Sequence, residues 1–186
     1  LLVEGPSDVA IFDAAAELLG IGDLAADGIV ATHVGGKGSQ PIALAILKAL
    51  EIPTFCVFDS DANAADGTPC PTCGRGRSDR ASAIKSNRRV LSALGAPEVD
   101  FPLATVEHGW ACFHGEVEDA IAGFRSILDS VKVEMGWKGK SPEAYSEAIR
   151  RAGKDALPGS IREILLHTRA LAGLAAGAVP ADEQPD

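Results

Sequence analysis

The sequence predicts an α/β fold: a central, mainly parallel sheet flanked by helices, followed by a mostly helical C-terminal part. Three observations carry this. Apolar runs at 1–3, 28–34 and 54–58 each lead through a turn into a segment of helical period, and this alternation implies a parallel sheet built from right-handed crossovers. The run at 54–58, TFCVF, is apolar at nearly every position, as a strand buried on both faces is. The first and third runs both end in carboxylates, Glu4 after LLV and Asp59 and Asp61 in FDSDAN. The carboxyl end of a strand is where open α/β sheets keep their sites.

Taken in order, residues 1–3 close a buried strand, and Glu4-Gly5-Pro6-Ser7-Asp8 is a tight turn into a helix over 9–19. Gly5 and Pro6 make the turn, and Ser7 or Asp8 caps the helix. Capping alone accounts for Asp8 but not for Glu4. The second strand, GIVATHV over 28–34, places His33 as a core histidine. GGKGSQP follows and leads to a helix over about 42–50. Its spacing is not that of a phosphate-binding P-loop, so the glycines serve the turn and Lys37 is a candidate phosphate contact.

In extended backbone, residues i and i+2 point the same way, so Asp59 and Asp61 are expected to aim at one point beyond the third strand. Adjacent carboxylates repel, and a hard divalent cation such as Mg²⁺ or Mn²⁺ offsets that. Turn chemistry alone also suits Asp and Ser at this place. The loop over 62–79 carries Cys70-Pro71-Thr72-Cys73, half of a zinc knuckle with no second pair to complete it. Zinc shared between two protomers and two free thiols are both open. A helix over 81–94 then turns Ile84, Val90, Leu91 and Leu94 inward, and short apolar segments at 99–103 and 110–113 extend the sheet. HGEVED, over 114–119, opens a helix to about residue 128, and acidic residues are favourable in a first helical turn. Helices at 142–151 and 160–174 follow, and the tail after Pro180 reads as disordered. The expected division is an α/β core over 1–130, a helical extension over 131–180 and a tail over 181–186.

No run of about 18 apolar residues occurs, and no charged segment precedes an apolar one at the first residues, so neither a membrane span nor a signal peptide is read. Four cysteines, with Cys56 inside the third strand, fit a cytoplasmic protein. A start in mid-strand suggests a domain of a longer chain. The net charge of −9 is unfavourable for phosphate binding, yet its distribution is uneven. Arg75, Arg77, Arg80, Lys85, Arg88 and Arg89 form a basic stretch interrupted only by Asp79, and this is the candidate DNA contact; a solvated helix face would look the same.

LLVEGPSD, VGGKGS, FDSDAN with Lys85 and Asn87 downstream, and HGEVED together resemble a Toprim (topoisomerase-primase) domain, a Rossmannoid fold, and within it the Toprim domain of OLD-family (overcoming lysogenisation defect) nucleases. The resemblance covers most of residues 1–130. It implies a metal-dependent endonuclease that cuts DNA, with two divalent cations, Mg²⁺ or Mn²⁺, and an ABC-type ATPase ahead of the domain in the same protein, through which alone ATP would act. It also implies site residues: Glu4 as metal ligand and base with Asp8 beside it, Asp59 and Asp61 as metal ligands, and Glu118 as the later ligand with Glu116 competing. Lys154 is the expected catalytic lysine, with Lys138 and Lys140 open. Two metals about 3.5–4 Å apart would activate water and stabilise the leaving oxygen, while the lysine neutralises the charge on phosphorus.

Other functions use the same fold. A topoisomerase needs a nucleophilic tyrosine, and Tyr145 is expected on an exposed helix far from the acidic motifs, so Tyr145→Phe should leave a nuclease intact. A primase or an RNA-processing enzyme would share the metal site. A RecR-type module binds DNA without cutting it and pairs a zinc knuckle with this fold, but gains nothing from concentrated negative charge beside phosphate. A small-molecule phosphotransfer domain would turn over phosphate esters.

Overall fold

The computed structural model describes residues 1–62 and 80–174. Five strands, β1 (Leu2–Val3), β2 (Thr32–His33), β3 (Cys56–Asp59), β4 (Thr105–Glu107) and β5 (Trp110–Phe113), form one sheet in the order β2-β1-β3-β5-β4. The first four in that order run parallel, and β4 returns antiparallel to β5. Gly109, the second residue of the two-residue turn between β4 and β5, has φ 93°, a conformation that glycine adopts without strain. From β1 the chain passes to β2 on one side and then crosses to β3 on the other. The carboxyl ends of β1 and β3 therefore flank a topological switch point, which is where a crevice opens in such a sheet.

Among the described residues, seven α-helices flank the sheet: α1 (Pro6–Leu18), α2 (Gln40–Ala49), α3 (Arg80–Leu94), α4 (Val117–Ala120), α5 (Phe124–Met135), α6 (Pro142–Ala152) and α7 (Gly159–Leu171). Pro6 opens α1, where its missing N–H costs nothing, and Asp8 caps the same turn by accepting from Gly5 N–H at 2.8 Å. The buried face of α1 is small and apolar, with Ala10, Ala14, Ala15 and Ala16 beside Ile11 and Phe12. Ala144 and Ala148 of α6 are equally buried, and α6 packs on α1 and α5. Small side chains on both helices let their backbones approach.

Several sequence expectations are corrected by these elements. The second strand is confined to Thr32–His33 at the sheet edge with both residues exposed, so His33 is a surface residue and not a core one. No strand forms over 99–103; the segment that pairs with β5 is Thr105–Glu107. The helix expected from HGEVED to about residue 128 is two helices, broken where Gly123 adopts φ 67°. The boundary expected at residue 130 falls within α5. Phe124, Leu128, Tyr145, Ile149, Ile161 and Leu165 share one hydrophobic cluster with Val3, Phe12, Phe55 and Val57, so the C-terminal helices are built onto the same core as the sheet. The C-terminal tail lies outside the described residues.

Candidate metal centre

Four elements bring carboxylates to the switch point. Glu4 follows β1, Asp8 lies in the first turn of α1, Asp59 ends β3 and Glu118 lies in α4. Backbone amides orient three of them. Glu4 Oε1 accepts from Asp59 N–H at 2.9 Å across the β1–β3 gap, Asp59 Oδ1 accepts from Val117 N–H at 3.1 Å, and Asp8 Oδ2 accepts from Gly5 N–H. The Glu4 carbonyl accepts from Gly36 N–H at 2.8 Å, tying the glycine-rich loop to the same corner.

Burial dominates the electrostatics. It pushes the Glu4 carboxyl up to about 7, with Asp61 and Asp8 adding to the rise and Lys37 and the Asp59 amide opposing it. Asp59 is raised well above the ordinary carboxylate range, first by burial and then by Glu4, Asp8, Glu118 and Asp61. Asp8 and Glu118 are raised by burial as well, and for both Lys140 pulls the other way. Among the described residues, these are carboxylates that face one another out of water with too little positive charge nearby to offset the rise. Such a cluster is stable only if it takes up protons or a cation. An all-oxygen donor set suits a hard divalent ion rather than zinc or copper. Among the described residues no three His, Cys, Asp or Glu side chains already stand in a metal-ligand arrangement, so the fit is one of donor chemistry and charge.

Asp61 does not follow the i, i+2 rule. Its φ of 53° takes the chain out of extended backbone, and its Oδ2 meets Lys37 Nζ at 2.5 Å. Lys37 is 5% exposed and also donates to the Asp59 carbonyl at 2.5 Å, so it is committed to this loop instead of lying open as a phosphate contact. Asn87 holds the same loop from α3, donating to the Ser60 carbonyl at 2.8 Å and the Asp100 carbonyl at 2.7 Å. Ser60 Oγ donates to the His114 carbonyl.

The later acidic residues separate clearly. Glu118 is 3% exposed and belongs to the cluster. Glu116 is paired with Arg125 at 2.6 Å, and Arg125 also holds Asp119 at 2.7 Å. Lys154 is exposed in the turn Lys154–Ala156, whereas Lys140 Nζ stands 4.0 Å from Glu118 Oε1. Tyr145 corrects the sequence expectation: it is fully buried, and its hydroxyl donates to Glu118 Oε1 at 3.1 Å. The signal for this lay in α6, where Tyr145, Ala148 and Ile149 recur at i, i+3 and i+4 on one apolar face.

On α3, Lys85 and Arg89 are exposed, Arg88 pairs with Asp100 at 2.7 Å, and Arg80 lies over the Phe101 ring at 4.6 Å. Arg75, Arg77, Cys70 and Cys73 lie outside the described residues. Cys56 is buried in β3, as its place in the apolar run predicts, and burial pushes its thiol up to about 12. Among the described residues no helix is long and apolar enough to cross a membrane.

Residues 1–61 match the family model "Overcoming lysogenization defect protein-like, TOPRIM domain". That span includes Glu4, Asp8, Lys37, Asp59 and Asp61 but not Glu118. No curated protein matches the chain. Among solved structures, the C-terminal region of the Xanthomonas campestris pv. campestris OLD protein is similar over 92% of this chain and 94% of its own, at 18% identity and a TM-score of 0.59. The C-terminal region of the Burkholderia pseudomallei OLD protein is similar over 92% and 96%, at 19% identity and a TM-score of 0.59. Residues 1–61 thus carry the OLD-like TOPRIM signature, and the chain has the fold of the C-terminal regions of OLD proteins.

Proposed function

We propose that this chain is the catalytic domain of a metal-dependent endonuclease of OLD type, hydrolysing phosphodiester bonds in DNA. The observation that carries this is the buried group of Glu4, Asp8, Asp59 and Glu118, whose mutual repulsion and burial call for cations. Mg²⁺ or Mn²⁺ at this group would supply charge neutralisation of the scissile phosphate and a water of lowered pKa. Glu4, Asp8 and Glu118 would hold one ion, and Asp59 would hold a second together with Asp61 once Lys37 yields that carboxylate.

The chain's own groups account for the remaining needs. Glu4, left ionised once a cation is bound beside it, is the carboxylate proposed to take a proton from an attacking water. Among the described residues, Lys140, beside Glu118, is a cation placed to face a phosphate drawn to the cluster, whereas Lys154 is exposed in the turn Lys154–Ala156. The exposed Lys85 and Arg89 of α3 would contact the backbone of DNA, and Arg75 and Arg77, which precede α3 in the sequence, are further candidates. The same reading assigns an ABC-type ATPase in the same polypeptide as the partner that gates cleavage, and the cytoplasm as its place of action.

Supercoiled plasmid incubated with the domain in Mg²⁺, Mn²⁺ or EDTA tests this, with Asp59→Ala and Glu4→Ala in parallel. Metal-dependent nicking or linearisation that both variants lose is expected. Retardation of DNA in a gel without cleavage under any metal would point instead to a RecR-type binding module, and cleavage confined to RNA would move the substrate class.

A further inference from the structure

The chain has one tyrosine, Tyr145. It lies early in α6, a helix opened by Pro142 and packed on α1 and α5, with Ser146 Oγ donating to the Ala10 carbonyl at 3.4 Å. The ring meets Phe124 at a centroid distance of 5.7 Å, and Lys132 Nζ stands 5.6 Å from its centre. Phenylalanine would fill this space as well as tyrosine, so packing alone does not call for the hydroxyl. The hydroxyl is used: it donates to Glu118 Oε1 at 3.1 Å, between two buried side chains. A carboxylate held through one oxygen has its plane set, and with it the direction of the other oxygen.

The geometry points to Tyr145 as a positioning residue, whose hydroxyl fixes Glu118 Oε1 and so sets where Glu118 Oε2 meets a divalent cation. This rests on the metal-site reading above. Tyr145 does not touch substrate; it acts through Glu118. A phenol orients the carboxylate without bringing a charge that would compete with the cation, whereas Lys140, at 4.0 Å from the same oxygen, brings one. Removing a hydrogen bond that orients a metal ligand typically lowers metal affinity about 10- to 100-fold.

Two measurements on the same chain test this: Mn²⁺ binding by calorimetry, and the ultraviolet resonance Raman bands of tyrosine with and without Mn²⁺. Wild type, Tyr145→Phe and Glu118→Gln are compared. With a single tyrosine, the phenol bands report on this one hydrogen bond and separate from those of the two tryptophans. The wild type is expected to bind Mn²⁺ with a shift of the phenol bands, Tyr145→Phe to bind about tenfold more weakly, and Glu118→Gln to lose the Mn²⁺-dependent shift. Unchanged affinity in Tyr145→Phe, with only a lower melting temperature, would assign the hydroxyl to stability alone and overturn the inference. So would wild-type phenol bands that bound Mn²⁺ leaves unmoved, an outcome that decides the matter even if Tyr145→Phe fails to fold. A wild type that binds no Mn²⁺ would overturn the metal-site reading itself.

Discussion

Replacing Lys37 by Met removes the cation at the hinge of the acidic loop. Lys37 is 5% exposed and its partner Asp61 27%, with Nζ 2.5 Å from the Asp61 carboxylate. The substitution strands Asp61 and takes away the positive charge that offsets part of the rise at Glu4. Breaking a fully buried pair by removing one partner costs about 3–5 kcal/mol, and the partial exposure of Asp61 lets water recover some of it, leaving about 2–3 kcal/mol. At about 2–4 °C per kcal/mol for a chain of this size, the melting temperature should fall by about 4–12 °C. Lys37→Met combined with Asp61→Asn should cost less than the two singles added, by about 1–2 kcal/mol, because the double variant has no stranded charge. Millimolar Mg²⁺ should narrow the deficit of Lys37→Met more than it stabilises wild type, since a bound ion replaces the lost charge. Thermal and urea unfolding of the four proteins, with and without Mg²⁺, measures all three effects. A Lys37→Met variant that melts within about 1 °C of wild type, or additive costs in the cycle, would refute this account of the loop.

Further outcomes follow from the same geometry. The carboxyls of the cluster are raised in the folded state, so their contribution to stability is fully present below their unfolded pKa and is lost as pH rises through the folded one. For Glu4, raised from 4.5 to about 7, this amounts to about 3 kcal/mol shared among coupled groups, and unfolding in EDTA should show a loss of stability between pH 5 and 8 that Mg²⁺ reverses. Glu116→Gln, which loses only the partly exposed pair with Arg125, should cost about 0.5–1 kcal/mol and leave Mn²⁺ affinity unchanged by calorimetry, while Glu118→Gln weakens it. Asn87→Ala leaves the Ser60 and Asp100 carbonyls without their donor and should destabilise by about 2–3 kcal/mol in urea melts. Lys85→Glu with Arg89→Glu should weaken DNA retention in gels and reduce its salt dependence, with metal affinity unaltered.

Much of the α/β core was legible because its signals are local. Residues 55–58 are apolar without interruption, and β3 is the central strand; Glu4 follows β1 and Asp59 ends β3, and both lie at the switch point. The departures have nonlocal causes. Asp61 escapes the alternation rule because the chain turns left-handed there and Lys37, 24 residues earlier, captures its carboxylate. His33 is exposed because β2 is an edge strand of two residues, which its apolar neighbours do not reveal. Glu116 and Glu118 look alike in sequence; Arg125 takes the first and the α4 turn buries the second. Tyr145 reaches Glu118 only because α6 packs against α1 and α5, a tertiary fact absent from any local window.

The central claim is that Glu4, Asp8, Asp59 and Glu118 form one buried cluster that takes up divalent cations. Calorimetric titration with Mn²⁺ near pH 7, in two buffers of different ionisation enthalpy, tests it most directly. Because the Glu4 carboxyl lies near 7, the wild type should bind Mn²⁺ and release protons as it does so, and Asp59→Asn should bind Mn²⁺ more weakly and release fewer protons. Absence of binding in the wild type, or binding with the same affinity and proton count in Asp59→Asn, would contradict it.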